Sequence, residues 1–468
     1  MKETRKNFLY NLIYQMFVFI IPLVTTPYVS RVLGVENIGI YSYTYSIVYY
    51  FMLAIMLGIN NYGAREIAKL QKDQDKRSYK FWSIYGLQLI NSLIMIVIFM
   101  IFVCCTKYQY KNILIIQFIY LISTMLDINW FYFGMEKFKI TISRNIIIKI
   151  LSLILIFLFV KNSRDLPIYT MILSVSTLIS QLYLWLHLKK DVHFVKVRLI
   201  EILKNLKPCL ILFIPVLAYS IYRVMDKTMI GYFSDVTQLG NYESAEKIIN
   251  IPISIITALG TVMMPHMSKS ADNQLSEKIR DTYKLCFFMI YPIIVGLLIV
   301  SKKFCNIFFG SGYELTPIII DLLLATVFFS CITNITRNNF LIPKSKDMIY
   351  VNSTIYGAVV NFILNYIFIR RYGSFGACIG TIAAEFTVMV YQVYKTRKDI
   401  NYFNNLKSTI PFFLSSLIMG MIIYLIDFIN LKDIIKIIVQ VLTAMIIYIS
   451  LNYKYIKNDI LNIKKKSE

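Results

Sequence analysis

The residues of this sequence best suited to chemistry are charged side chains that lie inside long apolar segments. In chain order they are Arg144, Lys149, Arg223, Asp226, Lys227, Glu246 and Lys247. A charge at the centre of a lipid bilayer costs about 2.5–3.5 kcal/mol on insertion scales, so a group of charges there needs partners or a purpose. Basic residues outnumber acidic ones in this set by five to two. This excess predicts a ligand that carries negative charge.

Two explanations of these charges remain open. Asp226 follows Arg223 by three residues, and salt bridges between helices would also account for the acidic members of the set. Arg144 and Lys227 lie close enough to the ends of their segments for their side chains to extend to the membrane surface. Lys149 differs, because it lies in the middle of its segment with no acidic residue nearby in the same helix. Lys149 is therefore the strongest single indication of an anionic ligand.

Polar residues also follow helical spacing within the apolar segments. One continuous row consists of Glu246, Asn250, Ser254, Thr257 and Thr261. Lipid offers no hydrogen-bond partners, so such a row must face protein or water. It predicts the lining of a water-filled cavity, and hydrogen bonds between packed helices are the alternative.

Catalytic, metal-binding and cofactor-binding motifs are not found in the sequence. The three histidines are scattered, and the seven cysteines form no CxxC pair. We find no pair of nucleophile and base, no phosphate-binding loop and no metal-ligand spacing. The sequence therefore predicts a protein that is not an enzyme and that uses neither a metal nor a cofactor.

The charged residues are positioned by helices that are apolar enough to cross a membrane. Hydrophobic residues make up 57% of the 468 positions, charged residues 16%, and the mean hydropathy is +0.61. A span needs about 20 mainly apolar residues. We predict fourteen spans, at residues 8–30, 38–62, 81–105, 111–134, 140–160, 167–188, 207–232, 245–265, 283–301, 316–337, 349–369, 373–396, 409–429 and 433–453. The first is too long for a signal peptide and has no cleavage site, so we interpret it as a retained helix.

The net charge of +23 arises mainly in the loops between these spans. Lys and Arg are roughly three times as frequent on the side of the two termini as on the opposite side, which places both termini in the cytoplasm. The sequence therefore predicts a multi-pass membrane protein. Nucleic acid is not expected as a partner, although such a charge would suggest it in a soluble protein.

A short pattern recurs at an offset of about 200 residues. Ile38-Gly39-Ile40-Tyr41 recurs as Leu239-Gly240-Asn241-Tyr242, and Leu33-Gly34 recurs as Ile230-Gly231. Each copy lies in the turn between the first two helices of a six-helix unit, which indicates a parallel repeat. We therefore predict an all-α protein with six-helix lobes at 1–200 and 201–400. Two further transmembrane helices and a basic cytoplasmic tail follow at 401–468. Chance matching of Gly-x-Tyr is the alternative.

The chain resembles the Wzx-type oligosaccharide flippases, the polysaccharide-transporter branch of the superfamily that includes the MATE drug exporters. The stretches that carry the resemblance are PLVTTPYVSRVLGVENIGIYSY at 22–43, WFYFGMEKF at 130–138, FIPVLAYSIYRVMDKTMIGYF with GNYESAEKIINIP across 213–252, and NFILNYIFIRRYGSFGACIGTIAAE at 361–385. The resemblance implies alternating access of a cavity between two lobes. It also implies translocation of a polyprenyl-diphosphate-linked oligosaccharide, the repeat unit of a capsule or an O-antigen. A polysaccharide polymerase and chain-length machinery would be further partners.

In that family, cationic residues that line the lobes are thought to meet the diphosphate or acidic sugars. The resemblance thus implies substrate binding by Arg31, Arg144, Lys149, Arg223 and Lys227. Lys247 and Asn250 are added as candidates from the charged and polar positions of the eighth span. Asp226 and Glu246 are candidates for ion coupling or for salt bridges.

Three other functions are the alternatives to this one. A MATE-type drug or cation antiporter shares the fold but needs an unpaired acid deep in its cavity, and the first span has none. A lipid II flippase also has fourteen spans and is harder to exclude. A membrane glycosyltransferase or polymerase would need a sizeable exposed loop, which the sequence lacks.

Overall fold

The computed structural model describes residues 2–105, 109–268, 272–455 and 457. These residues form helices, turns and short connections, with no β-strand among them. The seventeen α-helices within this described part are α1 Lys2–Met56, α2 Ile59–Ala68, α3 Gln74–Cys105, α4 Lys111–Met125, α5 Asn129–Gly134, α6 Phe138–Phe159, α7 Leu166–Leu188, α8 Leu199–Leu203, α9 Leu206–Phe233, α10 Val236–Ser268, α11 Asp272–Phe308, α12 Thr316–Thr336, α13 Asp347–Tyr372, α14 Ser374–Thr396, α15 Tyr402–Lys407, α16 Ile410–Leu425 and α17 Asp433–Leu451. The prediction of an all-α fold is confirmed.

Most of the long helices are apolar enough to cross a membrane. Within the described residues there are 11 candidate spans, and the first of them, Ile21–Ala68, covers the region of the first two predicted spans. Large apolar side chains remain exposed on these helices, such as Ile147 and Leu158 on α6, as expected where lipid is the solvent. A multi-pass membrane protein is thus confirmed, and the count of fourteen spans stays a prediction.

Gly34 breaks α1 into two helices. Its φ of 79° lies in the left-handed region, which glycine adopts without the steric cost that a Cβ would add. The chain therefore turns at Gly34, between the predicted spans 8–30 and 38–62.

The chain divides into two compact units, Met1–Gly240 and Asn241–Glu468. In the first unit, α1 packs against α3, α4, α6 and α9, and α7 packs against α4 and α6. In the second unit, α14 packs against α12 and α13, and α11 contacts α12, α16 and α17. The two last long helices are thus attached to α11. The predicted lobe boundaries at 200 and 400 stay a prediction.

Two glycines of the repeated pattern allow a close backbone approach within the first unit. A Cβ added at Gly39 would overlap the carbonyl oxygen of Val236, and a Cβ added at Gly240 would overlap the carbonyl oxygen of Val35. Any larger residue at either position would therefore push these two backbones apart. Close backbone packing therefore explains why glycine recurs at these two equivalent positions.

In the second unit, α17 supports α11 at a proline. Pro292 has no backbone N–H, so the carbonyl of Phe288, four residues earlier, lacks its usual helical partner. The Tyr448 hydroxyl donates a hydrogen bond to that carbonyl at 2.7 Å. This bond satisfies a buried acceptor that would otherwise remain unpaired.

We expect Tyr448→Phe to destabilise the protein by about 1–3 kcal/mol, because the buried Phe288 carbonyl then has no donor. The measurement is the midpoint of thermal unfolding in detergent. Tyr453→Phe is the matched control, since Tyr453 is 59% exposed. Equal midpoints for the two variants would contradict the role of Tyr448 at the proline.

Candidate functional site

Lys149 lies in the middle of α6, within the first unit, and its side chain is half-buried. At 1.5 Å per residue it is about 15 Å from either end of α6, which is further than a lysine side chain extends. Within the described part of the chain, its ammonium has no hydrogen-bond acceptor or carboxylate partner. The charge of Lys149 is therefore held midway along a helix that is long enough to cross a membrane, without a partner among the described residues.

Lys149 lies between the buried and the lipid-exposed sides of its helix. The buried side chains of α6 are Thr141, Arg144, Ser152 and Ile156. With 3.6 residues per turn, Lys149 falls at the border of that buried face, next to Asn145 and Ile156. The lipid-exposed Ile147 and Ile154 lie on other sides of the helix. This border position leaves the ammonium of Lys149 accessible rather than enclosed by the protein.

Arg144 lies on the same helix in very different surroundings, since it is only 4% exposed. Its Nη2 donates to Asn129 Oδ1 at 3.0 Å and to Asn145 Oδ1 at 2.8 Å, and its Nη1 donates to the carbonyl of Ser180 at 3.3 Å. The Asn129 amide in turn donates to the Asp127 carboxylate at 2.6 Å. Arg144 thus joins α5, α6 and α7, and its predicted role in substrate binding stays a prediction.

A second charged group lies on α9 of the first unit. Its members are Arg223, Asp226 and Lys227. Asp226 is 5% exposed and the two basic residues are half-buried, and each of the three makes polar or electrostatic contacts within the protein. Next to them, Thr228 Oγ1 donates to Ser46 Oγ of α1 at 2.9 Å, and Tyr50 of α1 lies near Asp226. The polar side of α9 therefore packs against the second half of α1.

The remaining candidate of the first unit is Arg31, which is exposed on α1 three residues before the break at Gly34. It also takes part in a polar contact. The structure thus places six of the nine candidates in the first unit, on α1, α6 and α9, and both α6 and α9 pack against α1.

The other three candidates, Glu246, Lys247 and Asn250, lie on α10 in the second unit. Lys247 is exposed, and its Nζ lies 3.8 Å from Glu243 Oε1, one helical turn away. Further along the polar row, Thr257 stays exposed and accepts a hydrogen bond from Asn334 of α12 at 3.1 Å. Part of the polar row is therefore hydrogen-bonded to α12, and part of it is exposed.

Two half-buried carboxylates were missed by the sequence analysis. Asp127 lies at the end of α4 and anchors the hydrogen bonds that reach Arg144. Asp321 of α12 accepts a hydrogen bond from Ser301, while its Oδ1 is buried without a partner among the described residues. Both lie inside predicted spans, and this location was the signal that could have identified them.

Among the residues that the structure describes, no three His, Cys, Asp or Glu side chains lie close enough together to hold a metal ion. The chemistry available at the described candidates is that of ammonium, guanidinium, amide and hydroxyl groups. Such groups bind anions and sugar hydroxyls through hydrogen bonds and charge.

Sequence comparison identifies two family profiles. Residues 4–271 match the profile described as polysaccharide biosynthesis protein, and residues 147–445 match that of the lipid II flippase MurJ. A protein described as a candidate O-antigen transporter from Shigella dysenteriae is 23% identical over 400 residues, which cover 83% of this chain and 99% of the relative. A second one, from Escherichia coli strain K12, is 23% identical over 394 residues, which cover 81% of this chain and 94% of the relative.

Structural comparison matches the chain to a solved flippase. The lipid II flippase MurJ in an inward closed conformation superimposes with a TM-score of 0.79 at 18% identity. The match covers 96% of this chain and 100% of that structure. The two proteins therefore share their fold over nearly their whole lengths.

Proposed function

We propose, because the chain belongs to the polysaccharide biosynthesis protein family, that it is a flippase for a lipid-linked oligosaccharide. Its substrate is a polyprenyl-diphosphate-linked repeat unit, carried from the inner to the outer leaflet of the cytoplasmic membrane. The product then serves the synthesis of a capsule or O-antigen type of polysaccharide. The alignment with proteins described as candidate O-antigen transporters, over almost all of their length, supports this assignment.

The observation that carries the proposal is the ammonium of Lys149, half-buried at mid-membrane without a partner in the described part of the protein. A diphosphate with several sugars cannot cross about 30 Å of hydrocarbon unaided, because its charges and hydroxyls would lose their water. A positive charge halfway across the membrane compensates the negative charge of the diphosphate at the depth where the loss of water is greatest. An unpaired lysine is costly for the empty protein, and the substrate supplies the missing counter-charge.

The translocation path extends beyond Lys149 in this proposal. We propose that the head group binds Arg31, Arg223 and Lys227 of the first unit, and that Lys247 and Asn250 of the second unit also bind it. The polyprenyl tail remains in the lipid while the head group moves. Alternating opening to the two sides then carries the substrate without a continuous pore. In this proposal the protein lies in the inner membrane of a bacterium with both termini in the cytoplasm. A polysaccharide polymerase with its chain-length machinery takes up the product outside.

Translocation by purified protein in vesicles tests the proposal. Proteoliposomes are loaded with a fluorescently labelled polyprenyl-diphosphate oligosaccharide, and a membrane-impermeant quencher reports the fraction on the outer face. We expect the protein to accelerate exchange well above that of protein-free vesicles. Exchange at the protein-free rate, with the protein shown to be folded and inserted, would contradict the proposal.

The membrane potential is expected to drive the transport. Moving one negative charge outward across an inside-negative membrane is favourable by about 2.3 kcal/mol per 100 mV, so a diphosphate with two charges gains about twice that. We therefore expect outward translocation to slow when ionophores clamp the potential to zero. Asp226 and Glu246 are the proposed sites if an ion gradient contributes. Undiminished outward translocation, with the pH and sodium gradients also abolished, would exclude both driving forces.

A lipid II flippase is the second candidate function, because residues 147–445 match that family profile. The two functions differ in the sugars attached to the lipid. Expression in cells depleted of their own lipid II flippase separates them. Growth of those cells would favour lipid II as the substrate, whereas restored O-antigen or capsule in a strain that lacks its oligosaccharide flippase would favour the main proposal.

A further inference from the structure

A cavity of about 530 Å³ lies in the second unit, where α14 ends and the chain turns into α15. The start of α11 forms its opposite wall through Ser276 and Ile279. The cavity is distant in sequence from every candidate considered so far. By the predicted topology, the turn between the twelfth and thirteenth spans faces the cytoplasm. Its volume is within the range of sites that hold small organic groups.

One polar side chain in this cavity is buried without a partner. Asn405 of α15 lines the cavity and is only 6% exposed. Its side-chain amide forms no hydrogen bond with any other residue that the structure describes. The amide lies at the wall of the cavity, where a ligand can form a hydrogen bond with it.

The rim of the cavity carries positive charge. Arg397 and Lys398 are both exposed and line the cavity, and neither is paired with a carboxylate in the described part of the chain. The Arg397 guanidinium lies 4.1 Å from the centre of the Tyr394 ring, which orients it. Asp399 also lines the cavity, but its carboxylate binds Lys346 at 2.9 Å. The cavity therefore offers two free cations to a ligand.

An apolar side chain lies beside these cations. Phe403 lines the cavity and is 75% exposed, which in a membrane protein suits contact with acyl chains. A guanidinium, an ammonium and an amide are the donors that bind a phosphate group. We propose that this cavity binds the phosphate-bearing head group of an anionic phospholipid from the cytoplasmic leaflet, with the lipid chains against Phe403.

Lipid binding to the full-length protein tests this site. Native mass spectrometry of the protein in detergent, titrated with phosphatidylglycerol, measures bound lipid for the native chain, the double variant Arg397→Gln with Lys398→Gln, and Asn405→Leu. We expect each variant to lose at least fivefold in affinity for phosphatidylglycerol. Phosphatidylcholine is the neutral lipid for comparison, and its binding should be weak in all three proteins.

A matched control is present in the same pair of helices. Arg370 and Arg371 end α13, at the opposite end of the α13–α14 pair, and the Arg370 guanidinium also lies over a tyrosine ring, Tyr366 at 4.1 Å. Arg370→Gln with Arg371→Gln should leave phosphatidylglycerol binding unchanged.

Three results would overturn the proposal. One is equal phosphatidylglycerol binding by the native chain and the double variant Arg397→Gln with Lys398→Gln. Another is an equal loss in the α13 control, which would indicate a general effect of charge. The third is displacement of the lipid by inorganic phosphate at similar concentration, which would assign the cavity to a soluble phosphate. None of these results depends on the transport function.

Discussion

Replacement of Lys149 by alanine is expected to reduce translocation of the lipid-linked oligosaccharide at least tenfold while the protein remains at its normal level in the membrane. A hydrogen bond to a charged group contributes about 1.5–3 kcal/mol, and each 1.4 kcal/mol corresponds to a factor of ten. We expect a loss of transport rather than of stability. In the described part of the protein, no residue pairs with this ammonium, so its removal leaves no group without a partner. Removing an unpaired charge from mid-membrane also removes its desolvation cost.

Two variants on the same helix sharpen this test. Lys149→Arg keeps a positive charge and should retain most of the transport. Lys139→Ala removes a lysine from the exposed first turn of α6 and should leave transport unchanged. The proteoliposome assay, normalised to inserted protein, measures all three. Full transport by Lys149→Ala, or equal losses for Lys139→Ala, would count against a role of Lys149 in holding the diphosphate.

The sequence predicted the local features of the fold and of this site well. Length and apolar composition placed α6 in the membrane, and the absence of an acid near Lys149 in its own helix indicated an unusual charge. Gly34 and Gly39 were identified as part of a recurring turn, and the structure gives the first a positive φ and the second a close backbone contact. The turn at Gly34 depends on residues that are close together in the chain, so pattern and spacing were sufficient to predict it. The contact of Gly39 with the distant Val236 is known only from the structure.

The partners of the buried charges were not accessible to the same reasoning. Helical periodicity indicates which side of a helix is buried, but it does not show which side chains of other helices lie opposite. Arg144 was predicted to reach the membrane surface or a substrate, whereas the structure surrounds it with Asn129 and the carbonyl of Ser180 from neighbouring helices. Asp127, at 17 positions before Arg144, was overlooked for the same reason. Only these tertiary contacts distinguish a structural role of a buried arginine from a role in ligand binding.

Replacement of Arg144 by alanine is accordingly expected to lower the stability of the protein by about 1.5–3 kcal/mol, because its charged hydrogen bonds to Asn129 and to the carbonyl of Ser180 are lost. The Asp127 carboxylate would lose its nearby positive charge, and Asn129 would lose a donor. The measurements are protein abundance in the membrane and the midpoint of thermal unfolding in detergent. Both should fall together, and transport per remaining folded molecule should change much less.

A second substitution distinguishes this structural role from substrate binding. Asp127→Asn removes the buried negative charge and keeps an acceptor for Asn129, so the double variant Arg144→Ala with Asp127→Asn should recover part of the stability lost by Arg144→Ala alone. A double-mutant cycle gives this coupling as a free energy. If Arg144 acted only on the substrate, Arg144→Ala would accumulate normally, would fail to transport and would gain nothing from Asp127→Asn. That result would move Arg144 from the packing of α5, α6 and α7 to the translocation path beside Lys149.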